Sequence, residues 1–229
     1  MKTTLITGAS DGIGKSIATQ LSKQKENLVL FGRDNDKLQT VKTACEANGS
    51  TVQTYAFDLN DNAKRKSVVE EVINKQPVDV LINNAGIWHK VGDVTTLSEE
   101  TIQKVVSTNL TSQILLTRQL LDQMRGRSGT AVINIVSKSG LVAQAGQSVY
   151  TATKYGIKGF TDVLREDTKD EPVRIGGVYQ AGTNTGLFAK AGDDFPVEKF
   201  TNPNDLADVI VFMLTRPEKI WLNEVHVVF

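Results

Sequence analysis

The chain has 229 residues, a length that fits one domain with a substantial core. Its composition, 40% hydrophobic and 23% charged, is ordinary for a globular protein, and 26 basic residues balance 26 acidic ones. This balance, without a long basic run, argues against nucleic-acid and anionic-membrane partners. No apolar run approaches the roughly 20 residues of a membrane span.

The single Cys45 excludes an internal disulfide and fits a reducing compartment. Met1-Lys2 leads directly into an apolar run and a glycine-rich turn, unlike a secretory signal peptide. We therefore expect a cytoplasmic protein.

Residues 4–7 form a short β-branched run that predicts a first strand, and apolar residues from Ile13 to Leu21 recur at helical spacing. Between them lies the glycine pattern G-x-x-x-G-x-G. Such a turn lets a pyrophosphate approach the backbone at the positive end of a helix. The alternative is a flexible turn. The residues expected to bind a dinucleotide here are Gly8, Ser10, Asp11, Gly12, Ile13 and Gly14.

A second buried strand, residues 28–31, ends at Gly32-Arg33. In dinucleotide folds an acidic residue at this point binds the ribose 2′-hydroxyl, whereas a nearby arginine accommodates a 2′-phosphate. The sequence therefore favours NADP(H), with NAD(H) as the alternative. Two readings oppose this prediction: Asp11 would repel a phosphate, and Arg33 would be only a solvated turn residue.

A helix over residues 35–48 and a third strand over 52–57 lead to Asp58-Leu59. The Asp58 carboxylate can accept a hydrogen bond from an adenine amino group, or it can cap the next helix, residues 62–75. The two interpretations are compatible.

The fourth strand, residues 78–82, is followed by Asn83-Asn84-Ala85-Gly86. The asparagines can hydrogen-bond neighbouring loops, and Gly86 lets a ligand lie close. We expect the cofactor to contact Asn84, Ala85 and Gly86. His89, in the loop 87–95, is expected at the surface or at a rim.

A long helix is predicted from Ser98 to about Arg125, with Asn109 in its middle. Asparagine is a poor helix former, so Asn109 marks either a kink with a bound water or an exposed site. The fifth strand, residues 130–136, ends at Ser137. Catalytic groups of open parallel sheets collect at this carboxyl edge.

The next helix, residues 147–169, carries Tyr150 and Lys154, four residues apart and hence on one face with Cβ atoms ~5–6 Å apart. An ammonium beside a phenol lowers the tyrosine pKa from its usual ~10, which suits proton transfer. The alternative is an ordinary surface pair.

A sixth strand covers residues 173–179, and a lid is predicted at about 183–202, holding three phenylalanines. The alternative is a loop that packs these rings on the core. A helix over 203–214 and a strand over 225–229 complete the chain. The alternation predicts one doubly wound α/β domain, residues 1–229, with about seven parallel strands and helices on both faces.

Together these motifs resemble the short-chain dehydrogenase/reductase family over nearly all of residues 3–229. The matches are the T-G-x-x-x-G-x-G turn of residues 7–14, Asp58-Leu59, N-N-A-G at 83–86, Asn109, Ser137 and Y-x-x-x-K at 150–154, with Ser137 thirteen residues before Tyr150. The family has a Rossmann fold and commonly has Pro-Gly after the sixth strand, where this chain reads Gln180-Ala181-Gly182, without proline. The D-G-G ending of many members is also missing, which argues against a tetramer built through that end.

The resemblance implies a catalytic set in which Tyr150 is the general acid/base and Ser137 holds the substrate oxygen. Lys154 would lower the Tyr150 pKa and bind the nicotinamide ribose, and Asn109 would hold a relay water. Gly182, Thr183 and Thr185 would bind the nicotinamide carboxamide and the phosphates, with no metal involved.

The function implied is an NADP(H)-dependent oxidoreductase that interconverts a small carbonyl compound and its alcohol. The change at Gln180-Ala181 motivates one alternative, a non-catalytic NADP(H)-binding redox sensor. The expected assembly is a homodimer or homotetramer through the helices 98–125 and 147–169.

Overall fold

A parallel β-sheet of seven strands forms the centre of the protein. The computed structural model describes residues 1–217 and 219–228. The sheet order is β3-β2-β1-β4-β5-β6-β7, and every pairing is parallel. The strands are β1 (Thr3–Thr7), β2 (Asn27–Gly32), β3 (Thr51–Ala56), β4 (Val80–Asn83), β5 (Ala131–Ile135), β6 (Arg174–Gln180) and β7 (Glu224–Val227). The predicted final strand residue, Phe229, lies outside the described residues.

Seven α-helices connect and cover the strands: α1 (Gly12–Ser22), α2 (Asn35–Ala47), α3 (Asn62–Lys75), α4 (Glu99–Val106), α5 (Ser112–Met124), α6 (Ser148–Asp167) and α7 (Pro203–Leu214). Short polar side chains accept a backbone N–H at the start of five of them, which satisfies donors that the helix leaves unpaired. The caps are Asp11, Asp34, Asp61, Ser98 and Asn202.

Each face of the sheet buries its own apolar cluster, as expected for a parallel sheet covered on both sides. Side chains alternate along a strand, so Ile6 packs towards α1 and α7, whereas Leu5 packs towards α3 and α5. The doubly wound α/β prediction is confirmed. The two packed layers hold the carboxyl edge of the sheet in place between them.

The long helix predicted around Asn109 is interrupted by a π turn, Ser107–Thr111, between α4 and α5. Asn109 is fully buried, so an exposed site is wrong. Its amide is held by the backbone of Ile87, with Oδ1 accepting from N and Nδ2 donating to O at 2.8 Å each. Single π turns of this kind occur frequently at functional sites.

Two further expectations concern the chain as a whole. Cys45 is fully buried on α2, and burial raises the pKa of its thiol. In the part of the chain that the structure describes, no helix has the length and apolar content required to cross a bilayer.

Candidate functional site

A long cleft runs along the carboxyl edge of the sheet. It brings together most of the residues predicted to bind a cofactor, from the five loops that follow β1, β2, β3, β4 and β6 and from α6. They are Gly8, Ser10, Asp11, Gly12, Ile13, Arg33, Asp58, Leu59, Asn84, Ala85, Gly86, Tyr150, Lys154 and Thr185. Of the remaining candidates, Gly182, Thr183 and Ser137 line an adjoining cavity, and Gly14 and Asn109 line neither space.

The glycine turn adopts a shape that other residues would strain. Gly8 and Gly12 have φ angles of 65° and 52°, in the left-handed region. A Cβ at Gly14 would lie 2.3 Å from the Gly8 carbonyl oxygen, so the third glycine is required by packing rather than by contact with the cleft. The turn therefore presents the amino end of α1 to the cleft.

Asp11 stands at this helix end, but its charge is paired. Its carboxylate accepts the Gly12 N–H at 2.8 Å and meets the ammonium groups of Lys190 and Lys37 at 3.0 and 3.6 Å. The hydrogen bond from Lys190 is the main cause that lowers the pKa of Asp11. The sequence predicted that Asp11 would repel a phosphate. Two cations on this carboxylate reduce that repulsion.

The end of β2 has no room for an acidic side chain. A Cβ at Gly32 would lie 3.1 Å from Ser10 Oγ and 3.2 Å from a Leu38 methyl carbon. Arg33, the next residue, is exposed and lines the cleft beside Ser10. This corner offers a cation and a hydroxyl, without the carboxylate that selects a free ribose hydroxyl.

Asp58 and Leu59 line the far end of the cleft. Asp58 Oδ1 accepts the Asn60 N–H at 2.9 Å, and Asp61 caps α3, so the alternative of Asp58 as the cap is wrong. The buried Arg65 donates from Nη1 to the Leu59 carbonyl at 2.9 Å and fixes this turn. Burial lowers the pKa of Arg65.

The loop after β4 is fixed to β1. Asn84 Nδ2 donates to the Thr7 carbonyl at 2.8 Å, and Thr7 Oγ1 accepts the N–H groups of Asn84 and Ala85 at 3.0 and 2.9 Å. On the other side, Gln113 Nε2 donates to the Ala85 carbonyl at 2.7 Å. The predicted hydrogen bonding between neighbouring loops is confirmed for Asn84.

Tyr150 and Lys154 are 6% and 4% exposed, so the pair is not at the surface. The Lys154 ammonium lies 5.6 Å from the centroid of the Tyr150 ring and donates to the Ile135 carbonyl at 3.0 Å. Asn109 reaches the same helix through a 3.4 Å hydrogen bond to Thr153 Oγ1. α6 thus presents a phenol and an amine to the cleft at the end of β5.

Burial controls both pKa values in this pair. It raises the pKa of Tyr150 to about 12, against the opposing effect of a hydrogen bond with Ser137, and lowers the pKa of Lys154 to about 8. The expectation that Lys154 depresses the Tyr150 pKa below its usual value is therefore wrong for the protein without ligands. The same burial that removes water from the phenol also disfavours the ammonium charge.

Ser137 has an unusual backbone. Its φ of 125° and ψ of 155° lie in a region that is essentially reserved for glycine. Its Oγ accepts the Ser139 N–H at 3.1 Å, and this bond helps to hold the serine in place. Strain of this kind clusters at functional sites.

The adjoining cavity has an aromatic wall and a polar wall. The Trp88 ring centroid lies 4.4 Å from that of Tyr150 and 5.1 Å from that of Phe188. The polar wall includes Ser139, Gln144, Gln147 and Gln180.

The segment 183–202, predicted as a lid, borders this cavity through Phe188, Phe195 and Phe200. Its base is closed by a parallel bridge between Thr183 and Thr201. Its phenylalanines pack on one another and on Trp88, through Phe188–Phe195 at 5.1 Å and Phe188–Phe200 at 5.7 Å.

Several residues around the site were not predicted. Trp88 Nε1 donates to Asp193 Oδ2 at 2.6 Å, and Lys190 reaches Asp11 across 179 positions of sequence, so no local pattern could reveal either contact. His89 is only 2% exposed, and its expected surface position is wrong. Gln180 belongs to the segment that lacks the family's proline, but it received no role in the sequence analysis.

Comparisons with known proteins agree with this architecture. The sequence model described as short chain dehydrogenase matches residues 2–195. The NADP-dependent 3-hydroxy acid dehydrogenase of Schizosaccharomyces pombe is 31% identical, covering 96% of this chain and 89% of that protein. The 3-oxoacyl-[acyl-carrier-protein] reductase of Staphylococcus epidermidis is 30% identical, covering 95% and 93%.

Among solved structures, a metagenomic short-chain oxidoreductase in complex with NADP superimposes with a TM-score of 0.85 at 28% identity, covering 99% of this chain and 96% of that one. The matched family model spans the cleft, the adjoining cavity and most of the sheet. The chain belongs to the short-chain dehydrogenase/reductase family and is an oxidoreductase of CH–OH and C=O groups.

Proposed function

We propose that the protein interconverts a small carbonyl compound and its alcohol with NADP(H), using Tyr150 as the acid/base. The observation that carries this proposal is the position of Tyr150, which lines both the long cleft and the adjoining cavity. A proton donor at that junction can reach a substrate in one space and a cofactor in the other.

The cleft fits a dinucleotide along its length. The amino end of α1 favours a pyrophosphate, Asp58 and Leu59 offer an adenine site, and Lys154 offers a donor for the nicotinamide ribose. Thr185, whose Cγ2 lies 3.0 Å from a Cβ built on Gly12, bridges the glycine turn and the lid. Gly182 and Thr183 lie just beyond, in the adjoining cavity.

In reduction, the bound cofactor supplies hydride. The chain supplies the proton and the orientation. As negative charge develops on the carbonyl oxygen, the hydroxyls of Ser137 and Tyr150 stabilise it, and Tyr150 then donates its proton. A Tyr150 pKa of about 12 keeps the phenol protonated, as a donor must be.

The relay water of this mechanism needs a ligand other than the Asn109 amide, since Ile87 engages both ends of that amide. The π turn disturbs the helical hydrogen bonds of Ser107–Thr111, so we assign the water to a main-chain carbonyl of this turn. Asn109 is then a positioning residue that keeps the turn in this shape.

The direct test is oxidation of NADPH, followed at 340 nm, with a panel of aldehydes, ketones and 3-oxo esters. The 3-oxo esters are included because two relatives are named for 3-hydroxy and 3-oxo acyl compounds. Turnover of at least one carbonyl is expected. Tight NADPH binding without turnover of any of them would favour the redox-sensor alternative.

Arg33→Ala is expected to raise the dissociation constant of NADPH by tenfold or more, because a charged hydrogen bond contributes about 1.5–3 kcal/mol. Binding of NADH, which lacks the 2′-phosphate, should change by less than a factor of two. Fluorescence titration of both cofactors gives the two constants. Equal affinity of the unmodified protein for NADH and NADPH would contradict the NADP(H) preference.

The assembly proposed is a homodimer or homotetramer through α4–α5 and α6. On α6, Val163 is 60% exposed and Tyr155 is 43% exposed, which leaves an apolar surface in the isolated chain. Sedimentation is expected to give a multiple of the 25.0 kDa chain mass. Val163→Asp should shift the protein towards the monomer, and a wild-type protein that sediments as a monomer would refute the proposal.

A further inference from the structure

Gln180, the last residue of β6, lies where the two cavities meet. Five residues line both spaces: Ile13, Tyr150, Gln180, Thr185 and Leu187. Only three of them carry side-chain hydrogen-bonding groups. The phenol of Tyr150 is assigned to proton transfer, and Thr185 Oγ1 accepts the Leu187 N–H at 3.4 Å. The amide of Gln180 has no assigned role.

This amide is buried without a complete set of partners. Gln180 is 7% exposed, and its Oε1 has no hydrogen-bond partner. Among the described residues ten buried side-chain atoms share this condition, and Gln180 is the one among them that lines either cavity. A buried polar group without a partner costs about 1–3 kcal/mol, so a ligand that supplies the partner gains affinity.

A second glutamine, Gln147, lines the same cavity and has a hydrogen-bond partner at each end of its amide. Gln147 accepts the Ser139 hydroxyl at 3.3 Å and donates to Gln144 Oε1 at 2.7 Å. The backbone of Gln180 is fixed by its pairing with Val227 and by the hydrogen bond from Ala181 N to Val227 O at 2.8 Å. Gln180 therefore offers a positioned amide whose oxygen has no hydrogen-bond partner.

We propose that Gln180 determines substrate specificity by hydrogen-bonding a second oxygen function close to the reacting carbonyl. This inference rests on the proposed function. An amide has two donors and an acceptor oxygen, and its terminal torsion is broad, so either end can be turned to the ligand. The preferred substrates are then hydroxy-ketones or 3-oxo esters rather than plain ketones. The hydrocarbon part of these preferred substrates would pack on Trp88 and the lid phenylalanines.

The test compares 4-hydroxy-2-heptanone with 2-heptanone, the same ketone without the hydroxyl group that can donate to Oε1. Gln180→Met, of similar volume, is expected to lower kcat/KM for the hydroxy-ketone about tenfold, the effect of one lost hydrogen bond. For 2-heptanone the change should be less than twofold, and the NADPH dissociation constant should not change. Gln24→Met, an exposed glutamine after α1, is the matched control and should leave both substrates unaffected.

Equal losses for both substrates would show a structural role and overturn the inference, and a weakened NADPH dissociation constant would assign Gln180 to the cofactor instead. Should the methionine variant fail to fold by circular dichroism, Gln180→Leu is measured in the same way. A wild-type protein that reduces no carbonyl refutes the proposed function. If the wild-type protein reduces both compounds and the variants leave the ratio of the two kcat/KM values unchanged, only the role of Gln180 is refuted.

Discussion

Tyr150→Phe is expected to lower kcat for carbonyl reduction by about 10²–10⁴-fold, the usual contribution of a positioned proton donor. The substitution removes one hydroxyl and keeps the ring, so the 4.4 Å contact with Trp88 should remain. The dissociation constant of NADPH should stay within a factor of about two, because the proposed sites for the phosphates and the adenine lie elsewhere in the cleft. Single-turnover kinetics separate the chemical step from binding.

The control is Tyr155→Phe, one position beyond the Y-x-x-x-K motif. The Tyr155 hydroxyl donates to the Leu141 carbonyl at 2.8 Å, on the exposed side of α6 and away from the cleft. This variant should keep full activity. Full activity of Tyr150→Phe would remove the phenol from the mechanism and leave the proton donor to be found among other groups in the cavity.

Replacing Ser137 by alanine or by glycine is expected to lower activity to a similar extent but to give two different stabilities. Both variants lose the hydroxyl that stabilises the developing oxyanion, and both should lose about 10²–10³ in kcat. Alanine keeps the strained backbone at φ 125°, which costs about 1–3 kcal/mol, whereas glycine adopts it freely.

After allowance for the greater chain entropy of unfolded glycine, Ser137→Gly should be more stable than Ser137→Ala by roughly 1–2 kcal/mol. Urea unfolding of both variants gives the difference in the free energy of unfolding. If Ser137→Gly were instead less stable than Ser137→Ala by about 0.5–1 kcal/mol, the entropy cost of glycine alone, the unusual φ would store no strain. Ser139→Ala is a suitable third variant, since it keeps the backbone N–H that Ser137 Oγ accepts and should stay catalytically active.

Local chemistry made the elements predictable. Helix α3 was predicted with its observed bounds, Asn62–Lys75, because an aspartate cap precedes it and a proline follows it. Helix α7 begins at the predicted Pro203, a residue preset for the first turn. Burial of each parallel strand on both faces left continuous apolar runs that could be recognised without knowledge of the partner strands.

Features that depend on distant contacts were not predictable. The π turn at Asn109 is held by Ile87, which lies 22 residues earlier. The pKa values of Tyr150 and Lys154 follow from burial of both side chains, which the four-residue spacing does not record. His89 was expected at the surface or at a rim because of its residue type, yet it is buried, and its Nδ1 lies 2.9 Å from the Lys90 carbonyl oxygen.

Lys190 and Asp193 lie three residues apart, yet they bind two different parts of the chain. Lys190 is bonded at the glycine turn and Asp193 at the indole of Trp88. Both contacts lie beside the site, because Lys190 lines the long cleft and Trp88 lines the adjoining cavity. The exposed ion pair between Lys190 and Asp11 weakens as ionic strength rises, whereas the hydrogen bond from the Trp88 indole is partly buried and less screened. Rising salt is therefore expected to weaken the contact at the glycine turn before the contact at Trp88.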